Sequence, residues 1–107
     1  MSSAQAEHVI LWEFRVRPGC ESEFESAYGP TGAWAKLFAK GDGYLGTELL
    51  RHASSPRRYI TIDRWVNAES HAGFRKAHDA EFLALDAKCE LLTESETLLD
   101  SWTTART

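Results

Sequence analysis

The sequence predicts an α+β fold, a ferredoxin-like β-α-β-β-α-β chain with a four-stranded antiparallel sheet. Two periodicities carry this. Short runs rich in β-branched and aromatic residues lie at 7–16, 41–53, 59–66 and 91–102, and apolar residues recur at three- or four-residue steps over 20–40 and 68–89. Their succession along the chain is that of the split βαβ motif, whose right-handed crossovers place both helices on one face of the sheet. A third observation concerns the other face: the strands are apolar on both sides.

The first strand, "EHVILWEFRV", stops at "RPG" (17–19), a turn. From Cys20 to Lys40, Phe24, Ala27, Tyr28, Ala35 and Phe38 fall on one helical stripe. "YGPTGAW" (28–34) interrupts it, because Pro30 removes a backbone donor and two glycines weaken the turn. Two helical pieces are expected, with Pro30 near the start of the second. "GDGYLGTELLRHA" (41–53) gives a glycine stop and the second strand, "SSPRR" (54–58) a turn, and "YITIDRWV" (59–66) the third strand. Asn67 is suited to cap the next helix, and Glu69 puts a carboxylate in its first turn. That helix is expected over about 68–89, loosened near its middle. "LLTESETLLDSW" closes as the fourth strand, and Thr103–Thr107 reads as a frayed tail.

Along strand one, His8, Ile10, Trp12 and Phe14 share a face opposite Val9 and Leu11. Strand three sets Ile60, Ile62 and Val66 against Tyr59 and Trp65. A sheet covered on one side only would alternate with polar residues. Two apolar faces need two covers, and a second copy of the chain is the simplest source of the other. A homodimer is expected, with Trp12 or Trp65 at or near the joint.

With 107 residues, of which 43% are hydrophobic and 26% charged, the chain suits one domain spanning 1–107 with a core of about 8–102. Its net charge of −4 argues against nucleic-acid and anionic-membrane surfaces, which need clustered Lys and Arg. Met1–Glu7 has no basic leader pattern and Val9–Trp12 is too short for a membrane span, so a cytoplasmic location is expected. Cys20 and Cys89 lack CxxC spacing and are expected as reduced thiols.

"FRVRPGCESEF", "GYLGTELLR", "SPRRYITIDRW" and "ETLLDSW" resemble the antibiotic-biosynthesis-monooxygenase-like domains over roughly residues 8–102. The resemblance implies a dimeric α+β barrel, in which two sheets pack face to face and each subunit keeps a pocket between sheet and helices. The family it resembles includes cofactor-free monooxygenases of phenols or quinols, haem-degrading enzymes and many members of unknown activity, and the resemblance implies cofactor-free oxidation of a small aromatic phenol or quinol as the leading activity. A non-catalytic binding or structural dimer is the alternative from another class. The break at 28–34 departs from the simplest family pattern and is expected to shape the pocket mouth.

On the second helix His71, Phe74, His78, Phe82, Leu85 and Cys89 form one stripe, so both histidines are expected to face inward. Seven residues separate them, about 10 Å at ~1.5 Å per residue, too far to share one metal ion. Neither a ligand cluster nor a phosphate-cradling glycine loop stands elsewhere, and no metal, flavin or haem is expected. His71, at the strand-to-helix corner, is the candidate acid–base group; each histidine can equally pack and donate to a carbonyl. Trp65 closes the family-like "DRW", where an indole stacks on a flat substrate and donates its N–H, or locks strand to helix. Trp34, Tyr44, Phe74, Arg75 and His78 are candidate substrate contacts. Arg64 and Arg75 can meet an oxyanion, with Asp63 and Glu69 as their alternative structural partners. The haem-degrading members use an asparagine, a tryptophan and a histidine where this chain carries Trp12, Phe74 and Ala84. None matches, and haem breakdown is disfavoured.

Overall fold

A computed structural model describes residues 6–105. Met1–Gln5 and residues 106–107, part of the expected leaderless start and frayed tail, lie outside the described residues. The elements run β1 (His8–Val16), α1 (Glu21–Tyr28), α2 (Ala33–Phe38), β2 (Tyr44–Arg51), β3 (Arg58–Trp65), α3 (Ala68–Ala77), α4 (Asp79–Cys89) and β4 (Thr93–Thr103). A 3-10 turn, Glu90–Leu92, joins α4 to β4. The sheet is antiparallel in the order β2-β3-β1-β4, the ferredoxin-like arrangement read from the sequence.

The strand register explains why the helices sit where they do. Four rungs cross β2, β3 and β1 on the helix side: Tyr44–Trp65–His8, Thr47–Asp63–Ile10, Leu49–Thr61–Trp12 and Arg51–Tyr59–Phe14. The outer rungs are largely aromatic, and the inner ones set Thr47, Asp63 and Thr61 beside Ile10, Leu49 and Trp12. Phe14 and Tyr59 take the Phe24 ring at 5.2 and 4.8 Å, and Phe24 stacks on Tyr28 at 4.2 Å. At the other end Trp65, fully buried, meets Phe38, Tyr44 and Phe74 within 6.0 Å. Trp34 joins the two groups through Tyr28 and Phe38. The helices therefore rest on two aromatic ends of the sheet.

Both helical segments are broken. Gly29 ends α1 and Gly32 caps α2, so Pro30 stands exposed in the connector and not at the start of the second helix, as the sequence suggested. The second break falls at His78, whose backbone leaves helical geometry at φ −124°, ψ 29°. Asn67 caps α3 as expected, its side chain accepting from the Ser70 N–H at 2.8 Å. Thr103 and Thr104, read as frayed, are paired: Thr104 N–H donates to the Glu7 carbonyl, and Glu7 N–H to Thr104 Oγ1.

The opposite face of the sheet carries Val9, Leu11, Ile60, Ile62 and Leu50, interleaved with the pairs Arg64–Glu48, Arg64–Glu7 and Arg58–Glu13. Leu50 is 47% exposed. No helix among the described residues covers it. Trp12 and Trp65 both belong to the helix side, because they pair across the sheet with Thr61 and His8 there; the expectation that either stands at the joint of two open faces is corrected. Trp102, opposite Val9, is the tryptophan on the open side. Along β4 the register with β1 slips between Ile10 and Trp12; nearby, Asp100 adopts φ 84° and the Trp102 indole donates to the Leu99 carbonyl at 2.9 Å. No helix among the described residues is long and apolar enough to cross a membrane.

Gly43 and Gly46 open β2 with φ of +89° and +139°. A Cβ on Gly43 would lie 2.5 Å from Val66 Cγ2 and 2.8 Å from Ser70 Cβ, whereas one on Gly46 would meet nothing within 4 Å. Gly43→Ala should cost about 2–3 kcal/mol in urea unfolding and Gly46→Ala about 1 kcal/mol, the second from backbone strain alone.

Candidate functional site

Between the two aromatic ends, over Thr47, Thr61 and Asp63, a cavity of about 220 Å³ remains. Its floor is Trp12, Phe14, Thr47, Thr61 and Asp63 from the sheet. Tyr28, Trp34 and Phe38 from the broken first helical segment form one wall, and Arg75, Phe82 and Asp86 from α3 and α4 the other, with Glu96 of β4 at the rim.

Asp63 is the chemical centre of the floor. It is 8% exposed, and Thr47 Oγ1 donates to its Oδ1 at 2.6 Å. Because Thr47 spends its proton there, the contact between the Tyr44 and Thr47 hydroxyls at 2.5 Å must run from tyrosine to threonine. Tyr44, Thr47 and Asp63 thus form a directed chain, with Oδ2 left to the cavity. Burial raises the Asp63 carboxyl to about 6, against the opposing hydrogen bond from Thr47. The sequence reading gave Asp63 to Arg64 as an ion partner. Adjacent strand residues point to opposite faces, so Arg64 pairs instead with Glu7 and Glu48 on the open side. The alternation of Tyr59, Thr61, Asp63 and Trp65 carried the signal: a carboxylate at an inward position.

Two donors in the walls are unspent. Trp34 is 6% exposed, and its indole N–H lies beside the Tyr28 hydroxyl and the Cys89 thiol without hydrogen-bond geometry to either. Arg75 Nε is buried without a partner, while Nη2 binds Asp79 at 3.0 Å and the guanidinium lies 3.7 Å from the Phe82 ring centroid. Glu69 is therefore not the partner of Arg75. The Glu96 carboxyl is raised by burial and by the negative charge of Asp86 and Glu90.

The sequence-derived candidates divide. Trp34 and Arg75 line the cavity, and Tyr44 reaches it through Thr47. Trp65 and Phe74 are core residues packed on each other at 5.5 Å. His71 is half-buried outside the cavity lining, 5.3 Å from the Trp65 ring and 5.9 Å from His8. Burial, then His8 and Arg75, lower its pKa. His78 sits at the break between α3 and α4, stacked on Phe74, with Nδ1 2.7 Å from Glu81 Oε1. That break is why the single stripe drawn through 71–89 does not hold: the two helices turn independently. Among the described residues, no group of three or more His, Cys, Asp or Glu is placed to hold a metal ion.

Comparison with known proteins places this geometry. The family model described as antibiotic biosynthesis monooxygenase matches residues 8–84. Among solved structures, the chain is similar to SnoaB, a cofactor-independent oxygenase from Streptomyces nogalater, at 24% identity and TM-score 0.75, covering 94% of this chain and 95% of that one. A protein from Shewanella oneidensis is similar at 19% identity and TM-score 0.71, over 96% and 95% of the two chains. One from Mycobacterium tuberculosis follows at 15% and 0.66, over 94% and 95%. No curated protein matches the chain.

The raised carboxyl makes a stability prediction. Between its ordinary 3.8 and about 6, the folded protein holds a proton that the unfolded chain releases, so stability falls as pH rises through that window. Asp63→Asn keeps the shape and removes the titration. In urea unfolding it should stabilise the protein by on the order of 2 kcal/mol at pH 7.5 and by little below pH 4.

Proposed function

Because the chain belongs to the antibiotic biosynthesis monooxygenase family, we propose that it oxidises a small aromatic phenol or enol without a cofactor, in the cavity between sheet and helices. The observation that carries this reading is Asp63: a carboxylate with one free oxygen, in an aromatic cavity, titrating near 6. It is ionised at neutral pH and more basic than an exposed carboxylate, which suits it to take a phenol proton. Likeness to a cofactor-independent oxygenase supports the reaction class.

In the proposed chemistry Asp63 removes the O–H proton, and the electron-rich phenolate passes an electron to O₂. Recombination forms a C–O bond to a ring carbon. Loss of that carbon's hydrogen as the O–O bond breaks gives a quinone and water: phenol plus O₂ becomes quinone plus H₂O. Trp34 and the Arg75 guanidinium stand in the walls of the same cavity, where the positive charge and the aromatic lining favour the phenolate. Asp63 takes the role that the sequence reading gave to His71, since His71 lies outside the lining. That same fact favours a second reading, a non-catalytic binding protein, because no imidazole faces the cavity.

Oxygen consumption with 1-naphthol, a two-ring phenol, separates them. The wild type should consume O₂ at a rate rising through about pH 6. Asp63→Asn should lower the rate by about 10²-fold or more, and His71→Phe should leave it within about threefold. Binding of naphthol with no O₂ uptake would establish the non-catalytic reading.

The open sheet face fits a second copy of the chain, as the family-like barrel implies. Leu11, Ile60, Ile62 and Leu50 would be buried there, among the interleaved Arg–Glu pairs. Light scattering at micromolar concentration should give about twice the chain mass of 12.0 kDa, and Ile62→Lys should reduce it to the single chain.

A further inference from the structure

The cavity holds more negative charge than its own cations balance. Asp63, Asp86 and Glu96 all line it, and none is ion-paired among the described residues. Its one cationic side chain, Arg75, is already committed to Asp79 and to the face of Phe82. Asp86 and Glu96 line the same cavity, and burial and then the charge of Asp86 raise the proton affinity of Glu96. The walls add to this field, because aromatic ring faces are themselves electron-rich and attract cations. A carboxylate or phosphate ligand would enter against all of it.

Polar demand comes also from Asp63, more than nine-tenths buried in the cavity floor, whose Oδ2 has no hydrogen-bond partner among the described residues. It takes a donor, and a phenolic hydroxyl supplies one. Size narrows the choice further. At about 220 Å³ the cavity is below the ~300–1,000 Å³ usual for drug-sized ligands, so one or two rings fit and four fused rings do not.

We propose that the ligand of this cavity is a one- or two-ring phenol that bears a protonated amine, its ring held by the aromatic walls and its ammonium by Asp86 and Glu96. This rests on the reading of the cavity as the ligand site and adds the ligand's charge to it.

Three probes of nearly equal shape test it: tyramine (+1), 4-ethylphenol (0) and 3-(4-hydroxyphenyl)propionate (−1). Each is titrated into the full chain while the Trp34 indole N–H resonance is followed by NMR. Tyramine should bind at least about tenfold tighter than 4-ethylphenol, and the propionate weakest. Raising the salt from 20 to about 500 mM should shrink the tyramine advantage severalfold in the wild type. The double substitution Asp86→Asn, Glu96→Gln should bring the two dissociation constants to a ratio near one. Should 4-ethylphenol match tyramine, or the propionate lead, the charge inference is overturned and the cavity reading stands. If no probe moves the Trp34 resonance, both fall.

Discussion

The hydrogen bond from Thr47 to Asp63 sets the conditions for everything above the sheet. A carboxyl group buried without a partner costs several kcal/mol, and this one is held at 2.6 Å by a hydroxyl that the neighbouring strand delivers in register. Around it the inner rungs carry threonines where a closed core would need leucine or valine. Helix side chains gain nothing by packing onto that surface. They gather instead on the aromatic rungs at either end, and the cavity is the space left over.

The two helix breaks follow from the same constraint. A straight helix laid across the sheet would have to bury an apolar stripe against Thr61 and Asp63. Breaking at 29–32 lets Phe24 and Tyr28 settle on Tyr59 and Phe14, while Phe38 reaches Trp65 from a separate helix. The break at His78 does the same on the other side, seating Phe74 on Trp65 and bringing Phe82 to the Trp34 ring at 5.0 Å. The Lys40–Glu81 ion pair ties α4 to the end of α2 across the gap. The architecture is a frame of aromatic contacts around a polar floor.

Much of that frame was legible in the sequence. The alternation in "HVILWEF" and "YITIDRW" assigned each residue to its face, and Asn67 marked a helix start to the residue. The fold followed from those patterns, and the family from the resemblance of stretches such as "SPRRYITIDRW". The site was legible only in part. Trp34 and Arg75, both candidates from the sequence, line the cavity, whereas the histidines, candidates because imidazole titrates near neutrality, do not. Asp63 was passed over because an adjacent arginine in sequence resembles a partner; in a strand it faces the opposite way. Asp86 comes to the cavity from α4, whose turn relative to α3 depends on the His78 break, and no local pattern encodes that angle; Glu96 comes from β4, opposite Phe14.

The kink in β4 has a consequence beyond this site. β4 is an edge strand of eleven residues, long enough to recruit a strand from another molecule. The left-handed backbone at Asp100 and the slipped register with β1 bend its outer rim, and the Trp102 indole occupies the Leu99 carbonyl that a visiting strand would seek. The ladder thus offers no straight row of open carbonyls past that point. The β4 edge is thereby blunted against strand addition, which leaves the apolar sheet face as the surface on that side best suited to pairing with another molecule.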